Sequence, residues 1–443
     1  MAPNQQIRPL TACVNAQGHL AIGGIDTVTL AGQWGTPLYV VDELTLRTAC
    51  REYVQALATA YPGAALAIYA SKAWNILALC ALVRQEGLGI DVVSAGELAG
   101  ALQAGVAADK IYFHGNNKSE AELTLALTAG VTIVVDNWFE LKTLARLGPQ
   151  LSYIPRLLVR VTPGIECHTH EYIQTGHLDS KFGFDPNEIG DLFSYLVDQP
   201  GLHCVGLHAH IGSQIFELQP HQDLAQVLVD LYAKGLHQGL PFCELNVGGG
   251  LGVCYVAGDD PPAIAAWVEA VAGSVARACA RAGLDYPKLI CEPGRSLIAN
   301  SCLTLYQVGS TKTVPGVRTY IAVDGGMSDN PRPITYGARY TALIANKADQ
   351  AADQLVTVAG KHCESGDILL KDVLLAQPES GDLLTVFTTG AYNYAMASNY
   401  NRVPRPAAVL VNEGEASLIL QRETTADLLR QDCLPPRLMG MPE

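Results

Sequence analysis

The sequence predicts an α/β protein made of a (β/α)8 TIM barrel and a second, mainly-β domain. Eight short runs of mostly apolar residues alternate with helical stretches in the first two thirds of the chain. Polar residues and glycines gather where these runs end. Beyond about residue 300, short strand-like runs follow one another with turn residues and few helices between them.

The eight runs have the length and composition of buried parallel strands. The first four begin about 22 residues apart, the spacing of a short strand, a helix and two loops. Later spacings are longer, as expected where loops carry function. The runs cover residues 66–70, 88–93, 110–114, 131–136, 156–161, 203–208, 243–247 and 288–292.

An open doubly wound sheet is the alternative, because periodicity alone does not separate it from a barrel. The polar residues favour the barrel, where functional side chains gather at the carboxyl ends of the strands. These ends carry Lys72, Asp91, His114, Asp136, Arg160, His208, His210, glycines 248–250, Glu292 and Arg295.

The rest of the chain predicts a β-domain with contributions from both ends of the sequence. Runs such as CLTLYQV, QLVTVAG and AAVLVN are typical of short strands. Residues 10–40 contain HLAIGG and TPLYVVD, too few strands to fold alone, so we expect them to join the C-terminal domain. The predicted division is an N-terminal segment (1–42) of the β-domain, a barrel (43–300) and a C-terminal β-domain (301–443).

Composition narrows the class of protein. Of 443 residues, 49% are hydrophobic and 16% charged, which fits a globular enzyme. A net charge of −14 disfavours binding to nucleic acid or to anionic membranes. No membrane-length apolar run and no secretory signal is visible. Twelve scattered cysteines, including Cys204, Cys243 and Cys291 as expected small buried hydrophobes, indicate a reduced, cytoplasmic protein.

A lysine ends the first predicted strand, in the sequence AIYASKAWN. Apolar surroundings disfavour the charged form of Lys72, so we expect a lowered pKa and a nucleophilic amine. Schiff-base chemistry needs such a lysine. The alternative is an ordinary lysine at the end of a strand, whose ammonium group reaches solvent.

Two glycine-containing loops follow the seventh and eighth predicted strands, in NVGGGLG and EPGRS. Barrels often bind phosphate at these positions, where glycine lets backbone N–H groups approach the oxygens. A phosphate site with a Schiff-base lysine is what pyridoxal 5′-phosphate requires. Glu292 then suits the pyridine nitrogen, His210 the face of the ring and Ser213 the phosphate.

Each of these features has a plainer alternative. The glycine run also fits a tight turn. His208 and His210, in HAHIGSQ, fit half of a zinc site or two imidazoles alternating along a strand, although no further convincing ligands stand nearby in the sequence. We therefore predict no metal.

A series of motifs stands in one order along the chain: YASKA, GLGIDVVSAGEL, HGNNKS, RVTPG, THEYIQTGHLDSKFGF, HAHIGSQ, VGGGLG, EPGR, VDGGMSDNPRPITYGAR, CESGD and GAYNYAMASNYN. With these motifs the whole chain resembles the meso-diaminopimelate decarboxylases, which belong to the fold-type III, alanine racemase-like enzymes that use pyridoxal phosphate. One departure is visible: many relatives read Lys-Ala-Asn, whereas Trp74 stands between Ala73 and Asn75 here.

The resemblance implies roles for particular residues. Lys72 holds the cofactor covalently, Cys363 reprotonates the substrate carbon, and His210 and Glu292 complete the catalytic set. The implied cofactor-binding residues are Lys72, Asp91, Arg160, His210, Ser213, Gly248, Gly249, Gly250, Glu292, Pro293, Gly294, Arg295 and Tyr392. The implied substrate-binding residues are Arg295, Arg332, Tyr336, Glu364 and Tyr392.

Plainer interpretations exist for these residues too. Cys363 could be an inert buried thiol, and Arg332, in NPRP, a turn arginine with surface partners. Tyr336 and Tyr392 could be packing tyrosines with satisfied hydroxyls.

The implied activity is decarboxylation of meso-2,6-diaminopimelate to L-lysine and carbon dioxide, the last step of lysine biosynthesis. Two arginines, Arg295 and Arg332, suit a distal carboxylate and argue against an ornithine-, arginine- or lysine-type decarboxylase. Glu292 argues against a racemase. A non-catalytic homologue that binds the cofactor is the last alternative. The resemblance also implies a homodimer in which Cys363 and Glu364 complete the partner's site, and residues 163–184 are a candidate lid.

Overall fold

The structure is a computed structural model that describes residues 1–165 and 180–439. The chain forms two compact units that alternate along the sequence. The barrel unit contains Met1–Leu10, Glu43–Cys302 and Gly390–Ala395. The β unit contains Thr11–Asp42, Leu303–Thr389 and the chain from Met396 onward.

Twenty strands occur in the described part of the chain. Their bounds are β1 Cys13–Val14, β2 Leu20–Ile22, β3 Ile25–Asp26, β4 Leu38–Asp42, β5 Ala65–Ala70, β6 Gly89–Val92, β7 Ile111–Phe113, β8 Thr132–Val135, β9 Arg156–Arg160, β10 His203–His208, β11 Glu244–Asn246, β12 Lys288–Cys291, β13 Cys302–Val314, β14 Arg318–Val323, β15 Ala342–Ile344, β16 Gln354–Ala359, β17 Ile368–Leu375, β18 Leu383–Phe387, β19 Ala407–Asn412 and β20 Glu415–Leu420.

Twelve α-helices occur in the same described residues. Their bounds are α1 Thr27–Trp34, α2 Glu43–Ala60, α3 Leu77–Gln85, α4 Ala95–Gln103, α5 Glu120–Ala129, α6 Trp138–Leu151, α7 Ile189–Val197, α8 Gln219–His237, α9 Ile264–Ala282, α10 Arg295–Ile298, α11 Arg332–Tyr336 and α12 Thr425–Leu429. No helix among the described residues is both long and apolar enough to cross a membrane.

Strands β5 to β12 close into a parallel barrel, in which β12 pairs with β5. All eight predicted runs are barrel strands, so the predicted fold class is confirmed, with several strands one or two residues shorter than their runs. The closed sheet is covered on both faces, which is why these strands read as apolar runs without alternation. The barrel interior contains the buried side chains of Ile68, Tyr112, Val134, Leu158, Val205 and Ile290.

Helices α4, α5 and α6 begin immediately after the loops that end β6, β7 and β8. Each of these helices is capped by the side chain of the residue before it, Ser94, Ser119 or Asn137. That side chain accepts a hydrogen bond from a backbone N–H of the first turn. Ser119 and Glu122 form a reciprocal capping box. These caps fix the short loops that carry polar side chains at the carboxyl ends of the strands.

The β unit is built on a nine-stranded sheet with the order β17-β16-β14-β13-β4-β19-β20, in which β18 pairs with β13 and β15. Strand β4 from the N-terminal segment lies between β13 and β19 and pairs with β19 in parallel. The prediction that the N-terminal segment contributes to the mainly-β domain is therefore confirmed. Strands β1 to β3 form a separate antiparallel sheet.

The cysteine predictions have mixed outcomes. Cys204 and Cys291 are buried in barrel strands, as expected of small hydrophobes. The same prediction is wrong for Cys243, which is exposed just before β11 begins. The predicted run begins at Cys243, one residue before β11, so the composition of the run did not show where the buried strand starts.

Gly206 provides a test of the barrel packing. A Cβ added at Gly206 in β10 would lie 1.8 Å from the backbone oxygen of Glu244 in β11. We expect Gly206→Ala to destabilise the protein by about 1–3 kcal/mol, because the methyl group overpacks the pairing of these strands. The free energy of unfolding measured by urea titration checks this.

Gly190→Ala is the matched control. Gly190 is exposed in α7, and a Cβ there meets nothing within 4 Å. We expect this variant to gain about 0.4–1 kcal/mol, because alanine restricts the unfolded chain. Equal stabilities of the two variants would contradict the packing described for β10 and β11.

Candidate active site

A group of polar side chains lies at the carboxyl ends of the barrel strands. It comprises Lys72, Asp91, His114, Asp136, Arg160, His208, Asn246 and Glu292. All except Lys72 are buried. Because all eight strands run in the same direction, side chains far apart in sequence meet at this one end.

Glu292 is at the centre of this group. Its Oε1 lies 2.9 Å from His114 Nε2 and accepts a 2.7 Å hydrogen bond from Asn246 Nδ2. Its Oε2 lies 3.2 Å from His208 Nε2. The rings of His114 and His208 meet edge to face, with centroids 4.8 Å apart. Residues in or directly after three barrel strands, β7, β10 and β11, therefore surround this one carboxylate.

The partners of Glu292 keep it ionised. Burial alone would raise the pKa of Glu292, but His114 and His208 outweigh it and hold that pKa well below its usual value. Burial lowers the pKa of His208 to about 4, against the opposing effect of Glu292. A neutral His208 that donates from Nε2 to an ionised Glu292 agrees with the lowered pKa of each group.

These neighbours correct one expectation from the sequence. Further metal ligands near His208 were not expected, yet the ligand atoms of His114, His208 and Glu292 lie within 4.8 Å of one another. His210 is not part of that group. The two imidazoles each lie within 3.2 Å of an oxygen of Glu292, so the three side chains also form a carboxylate with two imidazole partners.

Lys72 lies in the single helical turn Ser71–Ala73 that follows β5. Ser71 Oγ donates a 2.7 Å bond to the backbone oxygen of Asp91, and Ala70 N–H donates to Pro293 O at 3.0 Å. The turn is thus fixed to the neighbouring strand β6 and to the loop after β12. The Lys72 side chain itself is accessible in the mouth of the barrel.

The prediction of a lowered pKa for Lys72 is wrong in direction. The surrounding protein disfavours the charged amine, but Tyr392, Asp91 and Glu292 together outweigh that effect and raise the pKa of Lys72. Arg160 opposes them. The apolar sequence around Lys72 forms the strand below it, whereas the side chain points among anionic groups contributed by other strands.

Asp91, Asp136 and Arg160 form the remaining charged side of the group. Burial raises the pKa of Asp91 and of Asp136 and lowers that of Arg160. Arg160 Nε lies 3.9 Å from Asp136 Oδ1, and its Cζ lies 4.2 Å from the ring centroid of Phe182. Asp91 Oδ1 has no hydrogen-bond partner among the described residues.

The glycine run after β11 passes close to neighbouring backbone. A Cβ on Gly249 would lie 2.1 Å from the backbone oxygen of Glu292, and Gly248 and Gly250 have φ values of +66° and +122°. Gly249 N–H donates a 3.2 Å bond to His210 Nδ1. Burial is the main cause that holds the pKa of His210 well below its usual value, so the imidazole is neutral.

Ser213 and Arg295 meet beside the glycine run. Arg295 donates to Ser213 Oγ from Nε at 3.2 Å and from Nη2 at 3.0 Å. Its Nη1 donates a 2.7 Å bond to Tyr255 Oη, and its Cζ lies 4.9 Å from the ring centroid of Tyr392. The guanidinium of Arg295 is thus held between a hydroxyl and two aromatic rings.

Tyr392 and Tyr394 belong to the short stretch 390–395 of the barrel unit. Tyr392 has a positive φ of 62°, a costly conformation for a tyrosine, and its N–H donates to Ala73 O at 2.9 Å. Trp74 stacks on Tyr394 with ring centroids 5.4 Å apart. Trp74 is thus buried against this stretch beside Lys72.

The remaining predicted site residues lie in the β unit. Arg332 begins α11, is 8% exposed, and has its Cζ 5.9 Å from the ring centroid of Tyr336. Cys363 and Glu364 are exposed on the loop between β16 and β17, where Cys363 N–H donates to Asn401 Oδ1 at 2.9 Å. The alternative of a buried thiol is therefore wrong for Cys363.

Asp367 joins the two loops that carry these residues. Its Oδ2 accepts from His362 N at 3.0 Å and lies 2.7 Å from His362 Nδ1, while its Oδ1 accepts from Met327 N at 2.7 Å. Asp329, three residues before Arg332, accepts from Gly326 N at 2.8 Å and from Tyr306 Oη. Buried carboxylates thus fix the backbone before α11 and before Cys363.

Several contributors to the site were not assigned a role from the sequence. Asn246, Tyr255 and Phe182 carried no signal, because their partners come from other strands and loops. His114 and Asp136 were located at strand ends, but nothing in the sequence indicated that they pair with Glu292 and Arg160. Of the candidate lid at 163–184, residues 166–179 lie outside the described part of the chain.

Pyridoxal phosphate fits the residues of the barrel unit on three observations. Lys72 presents an accessible amine. The glycine run and Ser213 offer backbone and hydroxyl groups where any side chain on Gly249 would collide with Glu292 O. Glu292 is an ionised carboxylate suited to a protonated ring nitrogen, and the buried Asp91 Oδ1 is free to accept a further bond.

Comparison with known proteins identifies the family of the chain and agrees with a pyridoxal phosphate cofactor. Residues 45–299 match the family model described as pyridoxal-dependent decarboxylase, pyridoxal binding domain. A diaminopimelate decarboxylase of Synechocystis sp. is 59% identical, covering 99% of this chain and 95% of that protein. One of Bacillus subtilis is 45% identical, covering 95% and 97%. The crystal structure of a diaminopimelate decarboxylase from M. jannaschii in complex with L-lysine superposes with a TM-score of 0.90 at 31% identity, covering 99% and 100%.

Asp329 gives the β unit a pH-dependent stability. Burial raises its pKa from 3.8 to about 7, so the folded state binds a proton that the unfolded state releases. The stability contributed by this proton is complete below pH 3.8 and is lost as the pH rises through about 7. Asp329→Asn cannot ionise, so we expect its unfolding free energy to fall less than that of the wild type between pH 4 and 7.

Urea denaturation at a series of pH values measures this difference. Asp353→Asn is the control, because Asp353 is an exposed aspartate of the same unit. Parallel pH profiles for the wild type and Asp329→Asn would contradict the raised pKa.

Proposed function

The chain belongs to the pyridoxal-dependent decarboxylases, and from that premise we propose that it converts meso-2,6-diaminopimelate to L-lysine and carbon dioxide. The observation that carries the reaction class is the ionised, buried carboxylate of Glu292, held by His114, His208 and Asn246. The substrate is supported by the near full-length similarity to diaminopimelate decarboxylases.

Pyridoxal phosphate, when bound, supplies an electron sink for the bond that releases carbon dioxide. Glu292 keeps a proton on the ring nitrogen, because an ionised carboxylate favours the protonated pyridine beside it. Without His114 and His208, burial would raise the pKa of Glu292 and weaken this effect. An arginine at the same position would leave the nitrogen unprotonated, so Glu292 favours decarboxylation over racemisation.

Lys72 would hold the cofactor through Nζ. His210, a neutral imidazole whose Nδ1 accepts from Gly249 N–H, would lie against the ring. Ser213 and the 248–250 glycine run bind the phosphate through hydroxyl and backbone N–H groups. Asp91, Arg160 and Tyr392 orient Lys72 and the ring.

Substrate selection depends on the end of diaminopimelate that does not react. Arg295, Arg332 and Tyr336 bind its distal carboxylate, and Glu364 its distal ammonium. Ornithine and lysine lack that carboxylate, so their binding would leave guanidinium groups unpaired, which is costly. Arg332 is well placed for such a penalty, because it is only 8% exposed.

Cys363 is the acid that returns a proton to the substrate carbon, and it acts in the site of a second copy of the chain. The exposure of Cys363 and of Glu364 supports a role in the site of another subunit. The proposed assembly is a two-fold dimer, in which each subunit contributes one Cys363 and one Glu364 to its partner.

The first test compares substrates. We expect carbon dioxide and L-lysine from meso-diaminopimelate and no release from L-ornithine, L-arginine or L-lysine. Arg332→Met should lower kcat/KM for diaminopimelate roughly 30- to 100-fold, because a charged hydrogen-bond partner of the carboxylate is lost. Arg339→Met, which changes an exposed arginine of the same segment, is the control and should leave kcat/KM unchanged.

Release of carbon dioxide from a basic amino acid instead would keep Lys72 and Glu292 in their roles and overturn those of Arg332 and Glu364. No release from any substrate, with cofactor bound to Lys72, would leave the racemase or the non-catalytic alternative.

A second test addresses the shared site. Mixing inactive Lys72→Ala protein with inactive Cys363→Ala protein should restore about a quarter of wild-type activity, since half of the dimers are mixed and each holds one intact site. Carbon dioxide release after verified subunit exchange measures it.

The control mixture combines Lys72→Ala with the double variant Lys72→Ala/Cys363→Ala, which gives no intact site in any dimer. Activity no higher than in this control, despite subunit exchange, would refute the shared site.

A further inference from the structure

Lys118 and Glu140 form a buried ion pair in the barrel unit that the proposed reaction does not use. Lys118 stands in the HGNNKS motif after β7, and Glu140 lies in the first turn of α6. Lys118 Nζ is 2.8 Å from Glu140 Oε2, and the two side chains are 1% and 0% exposed. A pair so completely removed from water needs a physical reason, because burying two charges costs several kcal/mol each.

Every donor of the Lys118 ammonium is occupied. Besides Glu140, it donates to the backbone oxygens of Gly115 at 2.6 Å and Val134 at 2.9 Å. Glu140 also accepts backbone N–H bonds, from Lys118 at 3.1 Å and from Asp136 at 3.0 Å. The pair is therefore a compact network of side-chain and backbone groups.

This network joins two loops that carry site residues. Gly115 directly follows His114, which lies 2.9 Å from Glu292 Oε1. Val134 and Asp136 are at the end of β8, and Asp136 faces Arg160. A change in the pair would move His114 and Asp136 together, without either Lys118 or Glu140 touching Glu292 or Arg160.

We propose that Lys118 and Glu140 are a positioning pair, which sets His114 against Glu292 and Asp136 against Arg160 and thereby tunes the electrostatics of the cofactor site. Apolar residues of similar size often replace a buried ion pair without loss of stability, so stability alone does not account for the pair. Apolar replacements cannot bond Gly115 O, Val134 O and Asp136 N. The inference rests on the proposed function only in placing the cofactor at Glu292.

The experiment separates positioning from stability with two variants of the cofactor-bound protein. Lys118→Met leaves Glu140 buried without its partner, and we expect a large loss of stability. Lys118→Met/Glu140→Leu removes both charges, and we expect most of that stability to return. Thermal unfolding, the dissociation constant of pyridoxal phosphate and the pH midpoint of the bound cofactor's absorbance band are measured for each.

The positioning role predicts that the double variant regains thermal stability but not cofactor binding. We expect its dissociation constant for pyridoxal phosphate to be about tenfold above wild type, the lower end of the range known for partners that orient ligand-binding residues. We also expect a shifted pH midpoint, because Glu292 is displaced from His114. Wild-type affinity and midpoint in the stable double variant would overturn the proposal.

Lys288→Met is the matched control. Lys288 Nζ pairs with Glu244 Oε1 at 3.1 Å, and both residues begin their strands, at the amino end of the same barrel. We expect this variant to change stability without changing cofactor affinity or the pH midpoint. An equal loss of affinity in Lys288→Met would mean that any lysine removed from the barrel has this effect, and would also overturn the proposal.

If neither Lys118 variant folds, Glu140→Gln replaces them, because it keeps the side-chain shape and removes the charge. The same tenfold loss of affinity is expected, and wild-type affinity would again refute the positioning role. These measurements use cofactor binding alone. A failure of the wild type to decarboxylate diaminopimelate would affect the proposed substrate and would leave this result intact.

Discussion

The structure of the barrel unit depends on the pairing of one buried carboxylate. Glu292 directly follows β12; its partner His114 follows β7, and His208 and Asn246 end β10 and β11. A buried, ionised carboxylate is tolerated only when donors surround it. These donors meet only if the barrel closes in the observed order, with β12 beside β5. The ionised Glu292 therefore requires the closed barrel around it, and the packed hydrophobic interior of the barrel stabilises that fold.

The sequence predicts those features of the fold and the site that depend on residues close together along the chain. The eight barrel strands were predicted because each is a run of apolar residues, and a run is a property of neighbouring positions. Lys72 shows where local information ends. Its apolar neighbours in sequence predicted a lowered pKa, whereas Asp91, Glu292 and Tyr392 raise it. Pairings such as His114 with Glu292 depend on which strands become neighbours, so the sequence located both residues at strand ends without joining them.

The β unit also contains a buried carboxylate surrounded by donors, Asp367, which accepts from the backbone N–H groups of Met327 and His362. The carboxylate of Asp367 lies where a Cβ on Gly360 or Gly326 would be, 2.1 Å and 2.5 Å away. Only residues without side chains allow that carboxylate to accept backbone N–H bonds from both loops. In the sequence these glycines look like ordinary turn residues of VDGGMSDNPRP and the segment before CESGD. Their function as space for a carboxylate is visible only once β14 and β16 lie side by side.

Two lysines of the barrel unit differ in how their amino groups are bonded. All three donors of Lys118 are occupied, by Glu140, Gly115 O and Val134 O. An ammonium group bonded in this way has no lone pair available for a nucleophilic attack. It cannot move without breaking these hydrogen bonds. Lys72 is accessible, and its nearest charged groups act on it through space. Such an amine is open to a further partner, although Tyr392, Asp91 and Glu292 raise its pKa and so favour its charged form. Each lysine follows a barrel strand, Lys72 after β5 and Lys118 after β7, so the difference between them lies in the hydrogen bonds of their amino groups and not in their position along the barrel.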